Sequence, residues 1–175
     1  VASSHSRLLY LQRAIEKLGL GTRILLVLDL EQTYWRTFLS NCKLFPDVFH
    51  FIYLLKSKGI PTANITDLTA QIQFRKLVYF GLDELFNFVV TSEEAGMDKP
   101  DSSPFELAIE KLACSPEKVL MIGDNLISDI QGAQNMGILA FQKIHQGSPQ
   151  DKSSVIKPDF IFHNYRELIE MNNKR

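Results

Sequence analysis

Apolar residues recur at helical spacing over the first forty positions of the chain and in short strand-like bursts over the remainder. Leu8, Leu9, Leu11, Ile15 and Leu18 predict an amphipathic helix, closed by the stop signal Gly19-Leu20-Gly21. Residues 22–45 contain neither Gly nor Pro. Within them Asp29, Gln32, Thr33, Arg36 and Ser40 fall on one polar stripe, and Val27, Leu30, Tyr34 and Phe38 on an apolar one. A period near 3.6 predicts a second long helix.

From Pro46 the texture changes. Helices are expected over 47–58, 69–80, 102–112, 126–136 and 165–171, and short strands over 60–66, 88–91, 119–122, 138–141 and 159–162. The Ser-, Pro- and Lys-rich stretch 146–157 reads as a surface loop. Strands alternating with helices of about ten residues predict βαβ units and a parallel, doubly wound α/β sheet with helices on both faces. The chain is expected to divide near Phe45, into a helical element (1–44) and an α/β core (45–175).

Composition narrows the partners. With 45% hydrophobic and 22% charged residues in 175, the chain can bury one sizeable core. Its 19 basic and 20 acidic residues give a net charge of −1, so nothing electrostatic calls for nucleic acid or an anionic membrane. Cys42 and Cys114 stand far apart and read as two isolated thiols of a reducing compartment. The longest apolar run is 24–28, far short of a membrane span. The expectation is a soluble, cytoplasmic protein; the sequence leaves its oligomeric state open.

Ligands of open α/β sheets sit beyond the carboxyl ends of the strands, and three such places carry chemistry. At Ile65-Thr66-Asp67-Leu68-Thr69 a hydroxyl precedes a helix start, where backbone N–H groups can meet a phosphate; Asp67 or Thr69 reads equally as a helix cap. At Asp98-Lys99-Pro100-Asp101 the proline keeps Lys99 extended and off any helix. A point positive charge there suits a transferring phosphoryl group, and the plainer reading is a solvated loop lysine. After the predicted strand 119–122, Gly123 opens space, Asp124 stands at the strand tip, and Asp129 follows in the first turns of a helix. Two converging carboxylates call for a cation between them, and Mg²⁺ takes one or two carboxylates plus water and substrate phosphate. Asp124 as a cap and Asp129 as a surface residue is the alternative.

In order and spacing, residues 45–142 resemble the core of the haloacid-dehalogenase-like (HAD) hydrolase superfamily. Thr66 matches that family's second motif, Lys99 its third, and Gly123-Asp124 with Asp129 its fourth. Phe45-Pro46-Asp47-Val48 and Val90-Thr91-Ser92-Glu93-Glu94 match its flanking text. The resemblance implies Mg²⁺-dependent phosphoryl transfer through an aspartyl-phosphate, with small phosphorylated metabolites as substrates. It implies Asp124 and Asp129 at the metal, Thr66, Asp67 and Lys99 around the phosphoryl group, and Thr66 and Lys99 in catalysis.

The family's first motif, Asp-x-Asp-x-Thr after the central strand, supplies the nucleophile and the acid/base. Upstream of Pro46 its one candidate is Asp29-Leu30-Glu31-Gln32-Thr33, with Asp29 as nucleophile. Glu31 is a methylene too long for the second position, no turn residue follows, and the polar stripe through Asp29 fits a helix. Residues 5–40 accordingly read as the latter part of a helical cap. On that reading the sheet lacks its central strand, and its neighbours' edges go unmatched. Two functions follow: a phosphohydrolase whose nucleophile is not clearly present in this chain, or a non-catalytic HAD-like module that binds metal and phosphate or another protein. A receiver-like signalling domain fits less well, because its acidic pair comes early in the chain. Haloacid dehalogenation would require the same missing aspartate.

Overall fold

The computed structural model describes residues 6–145 and 155–173; the predicted loop 146–157 therefore falls largely outside the described residues. Two helices open the chain. Helix α1 (Arg7–Lys17) is capped by Ser6, whose hydroxyl accepts from the Leu9 amide. Helix α2 (Ile24–Asn41) takes up the run Ile24–Leu28 as its first turns. It packs against α1, with the Arg7 side chain of α1 donating to the Tyr34 hydroxyl.

The buried positions of α2 are Val27, Glu31, Trp35 and Leu39, a stripe of spacing four. Tyr34 and Phe38, expected to point inward, remain partly exposed. Trp35 is the bulkiest residue of the helix, and turning it inward carries Glu31 with it. The Glu31 carboxylate then meets Arg75 at 3.7 Å. Lys76 lies over the Trp35 and Phe38 rings, at 5.8 and 5.9 Å from their centroids. Burial there holds the Lys76 ammonium below its usual pKa.

The remainder alternates as predicted. In chain order come α3 (Val48–Ser57), β1 (Ala63–Thr66), α4 (Ala70–Tyr79), β2 (Phe88–Thr91), α5 (Ser92–Ala95), α6 (Ser102–Leu112), β3 (Leu120–Gly123), α7 (Gly132–Asn135), β4 (Leu139–Lys143), β5 (Phe160–Phe162) and α8 (Tyr165–Asn173). Every strand pairing is parallel. One apolar cluster joins Phe51, Ile52, Leu77, Phe162 and Leu168 from α3, α4, β5 and α8. A second joins Phe105, Ile130, Ala133, Ile138 and Ala140, from α6, the helical turns before and within α7, and β4. Helices thus pack on the parallel strands, the α/β architecture expected.

The strands form two sheets rather than one: β1 pairs with β2, and β3 with β4 and then β5. The expected seam falls between β1 and β3. Burial records it. Val90 on β2 and Ala140 on β4 are both 0% exposed. No residue of β1 or β3 reaches full burial, although the middle strands of a doubly wound sheet should be the most buried.

At the far edge Asp159 ties β5 to β4. Its carboxylate accepts from the Ala140 amide at 2.8 Å and from Gln134 at 3.2 Å, and its own amide donates to the Ala140 carbonyl. The Ala140 amide foremost, then Gln134, holds this carboxyl below its ordinary value of 3.8. A depressed folded-state pKa gives stability that is present above the ordinary aspartate range and lost as pH falls through the folded value. Urea-unfolding midpoints measured from pH 7 down to pH 2 should therefore fall less steeply below about pH 4 in Asp159→Asn than in the unaltered chain.

Candidate active site at the sheet seam

The seam is bridged at its carboxyl end by one lysine. The Lys99 ammonium donates to the Ile65 carbonyl of β1 at 3.3 Å and to the Asp129 carboxylate at 2.6 Å. Both side chains of this ion pair are nearly buried, at 9% and 8% exposure. The Lys99 backbone is fixed as well, its amide donating to the Asp67 carboxylate at 2.9 Å. Lys99 precedes a cis peptide to Pro100, and Asp101 caps α6 through the Ser103 amide.

Asp129 reaches Lys99 because the segment after β3 is not an ordinary α-helix. Leu126–Gln131 is a π-helical turn, in which the Asn125 carbonyl accepts from both Asp129 and Ile130. Asn125 caps it, its side chain accepting from the amides of Ile127 and Ser128. In that wider turn the Asp129 carboxylate folds back toward β3. Its second oxygen accepts from the amides of Asp124 and Asn125, at 3.1 and 3.0 Å. Gly123 is required by this approach: a Cβ there would run into the Asp129 side chain. The sequence predicted an α-helix over 126–136; the first six residues instead wind wider to place one carboxylate.

Asp124 is differently situated. Its side chain is 60% exposed, and one carboxylate oxygen lies 3.0 Å from His145 Nε2. The Gln142 side-chain amide donates to its carbonyl. Burial, with the Asp124 charge second, raises the pKa of Tyr165. Thr66 ends β1 opposite Thr91 of β2, next to the Ile65 carbonyl that Lys99 holds. The Asp67 carboxylate is committed to the Lys99 amide, so what Asp67 can offer an anion is backbone. At the start of α4, the Ala70 amide donates to Glu93, 2.8 Å away.

Thr66, Asp67, Lys99, Asp124 and Asp129 therefore meet at one end of the sheet. Asp29 does not present itself from a strand tip; it is exposed on the helix α2. An open groove lined by Gln32, Trp35, Arg36, Phe74 and Arg75 lies between α2 and α4. None of its lining residues belongs to the Lys99 cluster, so the cluster is defined by chemistry rather than by concavity. Neither the His145–Asp124 contact nor the π-turn was legible in the sequence: a lone histidine beyond a strand carries no motif, and helical periodicity does not distinguish a π-turn from an α-turn.

Among the described residues no group of three or more His, Cys, Asp and Glu is arranged to hold a metal ion. The exposed carboxylate of Asp124 is a hard oxygen donor of the kind Mg²⁺ takes, whereas both oxygens of Asp129 are already engaged.

Comparison with known proteins gives the family of the chain. A family model described as haloacid dehalogenase-like hydrolase matches residues 10–142, and the chain belongs to that family. It is 37% identical over 137 residues to a ribulose-1,5-bisphosphate 5-phosphatase of Halopiger xanaduensis, covering 78% of this chain and 57% of that one. It is 30% identical over 172 residues to a glyceraldehyde 3-phosphate phosphatase of Methanopyrus kandleri, covering 97% and 72%. The crystal structure of a HAD phosphatase from Thermococcus onnurineus shares the fold, with a TM-score of 0.69 at 20% identity over 94% of this chain and 88% of that one. Curated relatives named as phosphatases of small phosphorylated metabolites thus surround the chain, which spans between about half and three quarters of their length.

The Lys99–Asp129 pair generates a stability prediction. Removing one partner of a buried pair leaves an uncompensated charge. Lys99→Met and Asp129→Leu should each destabilise the chain by about 3–5 kcal/mol. The double variant should lose clearly less than the sum in urea unfolding, because the second change removes the orphaned charge.

Proposed function

We propose that the chain is the core of a Mg²⁺-dependent phosphohydrolase of small phosphate monoesters. The observation that carries this is the convergence of a strand-end hydroxyl, a buried lysine and two aspartates at one mouth of a parallel sheet. Each has a task there. Thr66 donates its hydroxyl to a phosphoryl oxygen, beside the backbone amides that lead into α4. Lys99 neutralises charge as it develops on the transferring group, from a position fixed by Asp67 and Asp129. Asp124 holds the cation, and Asp129 fixes the backbone that carries Asp124. When bound, Mg²⁺ draws negative charge from the phosphoryl oxygens. The relatives named above make a small phosphorylated metabolite the natural substrate class.

The attacking group is the part the described residues do not place. An aspartyl-phosphate route needs an aspartate at the mouth of the seam between β1 and β3, presented by a strand lying between them. Asp29, on an exposed helix face, is not so presented. That observation favours a second reading, in which this polypeptide by itself is a non-catalytic module that binds metal and phosphate.

Hydrolysis of p-nitrophenyl phosphate separates these readings. The chain is assayed with and without Mg²⁺, and with and without a synthetic peptide of five β-branched apolar residues followed by Asp-Leu-Asp-Gly-Thr. The expected result is negligible turnover alone and Mg²⁺-dependent turnover with the peptide. It should be reduced at least about 100-fold by Lys99→Ala and unchanged by Asp29→Asn. Peptide binding without turnover would establish the non-catalytic module. Turnover without peptide that Asp29→Asn abolishes would make Asp29 the nucleophile and overturn the cap assignment.

A further inference from the structure

His145 has no place in the family resemblance, yet its side chain meets the Asp124 carboxylate. Of the two aspartates at the site, Asp129 has both oxygens engaged, one by Lys99 and the other by two amides. Asp124 projects into solvent, where an unrestrained carboxylate samples several rotamers. A ligand must hold one of them. His145 Nε2 lies 3.0 Å from Asp124 Oδ2, and among the described hydrogen bonds this is the contact made by the Asp124 carboxylate.

The imidazole is itself held. His145 follows directly on β4 and the residue before it, whose amide donates to the Phe162 carbonyl at 2.9 Å. Its ring packs on Phe45 with centroids 5.0 Å apart. Phe45 in turn takes the Lys143 ammonium over its face, at 5.1 Å. Phe45 lies in the short linker between α2 and α3, so the stack runs from the linker to the strand tip.

We propose that His145 is a positioning residue for the divalent cation. An Nε2–H donated to Oδ2 would hold the Asp124 carboxylate in one rotamer and leave Oδ1 free for the cation, and the ring contact with Phe45 keeps the imidazole at that angle. Hydrogen bonds to a ligating group of this kind commonly change metal affinity 10- to 100-fold. The inference rests on the reading of Asp124 as the metal-binding carboxylate, and its test separates the two.

Mn²⁺ is titrated into the full chain, followed by water-proton relaxation and by paramagnetic broadening of the amides of residues 123–125, in the unaltered protein, His145→Ala, His145→Gln, Phe45→Ala and Asp124→Asn. Thermal midpoints serve as the fold control. His145→Ala should weaken Mn²⁺ binding about 10-fold with little change in Tm. His145→Gln, whose amide can donate to the same oxygen, should restore most of it, and Phe45→Ala should fall between. Unchanged affinity in His145→Ala, with binding lost in Asp124→Asn, overturns the role of His145 and leaves the metal reading standing. Unchanged affinity in Asp124→Asn overturns the metal reading itself. Should His145→Ala fail to fold, Phe45→Ala decides: affinity equal to the unaltered chain sinks the proposal.

Discussion

An ammonium and a carboxylate withdrawn from water together must be close, well directed and otherwise hydrogen-bonded, or their desolvation outweighs their attraction. Lys99 and Asp129 meet those terms at 2.6 Å, with the Ile65 carbonyl and two backbone amides as further partners. Much of the site follows from that arrangement. The pair joins β1 to the segment after β3, two pieces of sheet that share no backbone hydrogen bonds. It sets the direction of Asp129, which fixes the amide of Asp124, which places the Asp124 carboxylate beside His145. The glycine before Asp124 and the π-helical turn after it are the local concessions that let one carboxylate serve three donors.

The α/β alternation was legible because it rests on short-range pattern. Apolar bursts such as Phe88–Thr91 coincide with observed strands, and the helix over 102–112 ends where its periodicity does. The placement of Thr66, Lys99, Asp124 and Asp129 was legible because Thr66 ends a strand and the others lie in segments that follow strands, and parallel strands deliver their ends to one side. What escaped were features set by tertiary contact. The inward face of α2 is decided by the volume of Trp35 and the Glu31–Arg75 pair, against the apolar stripe through Tyr34 and Phe38. The π-turn is decided by the reach of Asp129. His145 was invisible because twenty residues separate it from Asp124, and only the pairing of β3 with β4 brings them together.

Helical geometry also bears on the candidate nucleophile. Ile24–Leu28 is apolar enough for a buried strand, yet no Gly or Pro interrupts the chain on either side of Asp29 until the helix is complete. An uninterrupted run of that length favours α2, and the seam between β1 and β3 keeps its unpaired edges. Family membership and the open seam thus have to be held together: Thr66, Lys99, Asp124 and Asp129 lie at the carboxyl ends of strands that form two sheets.

That central claim, a site assembled around an open seam, is tested most directly by amide hydrogen exchange across β1 and β3. A strand paired on one side protects alternate amides, whereas a strand paired on both sides protects all of them. Alternating protection is expected along β1 and β3, beside continuous protection in β4, which is paired on both sides. Continuous protection along β1 and β3 would show that the seam is closed in solution and would contradict that claim.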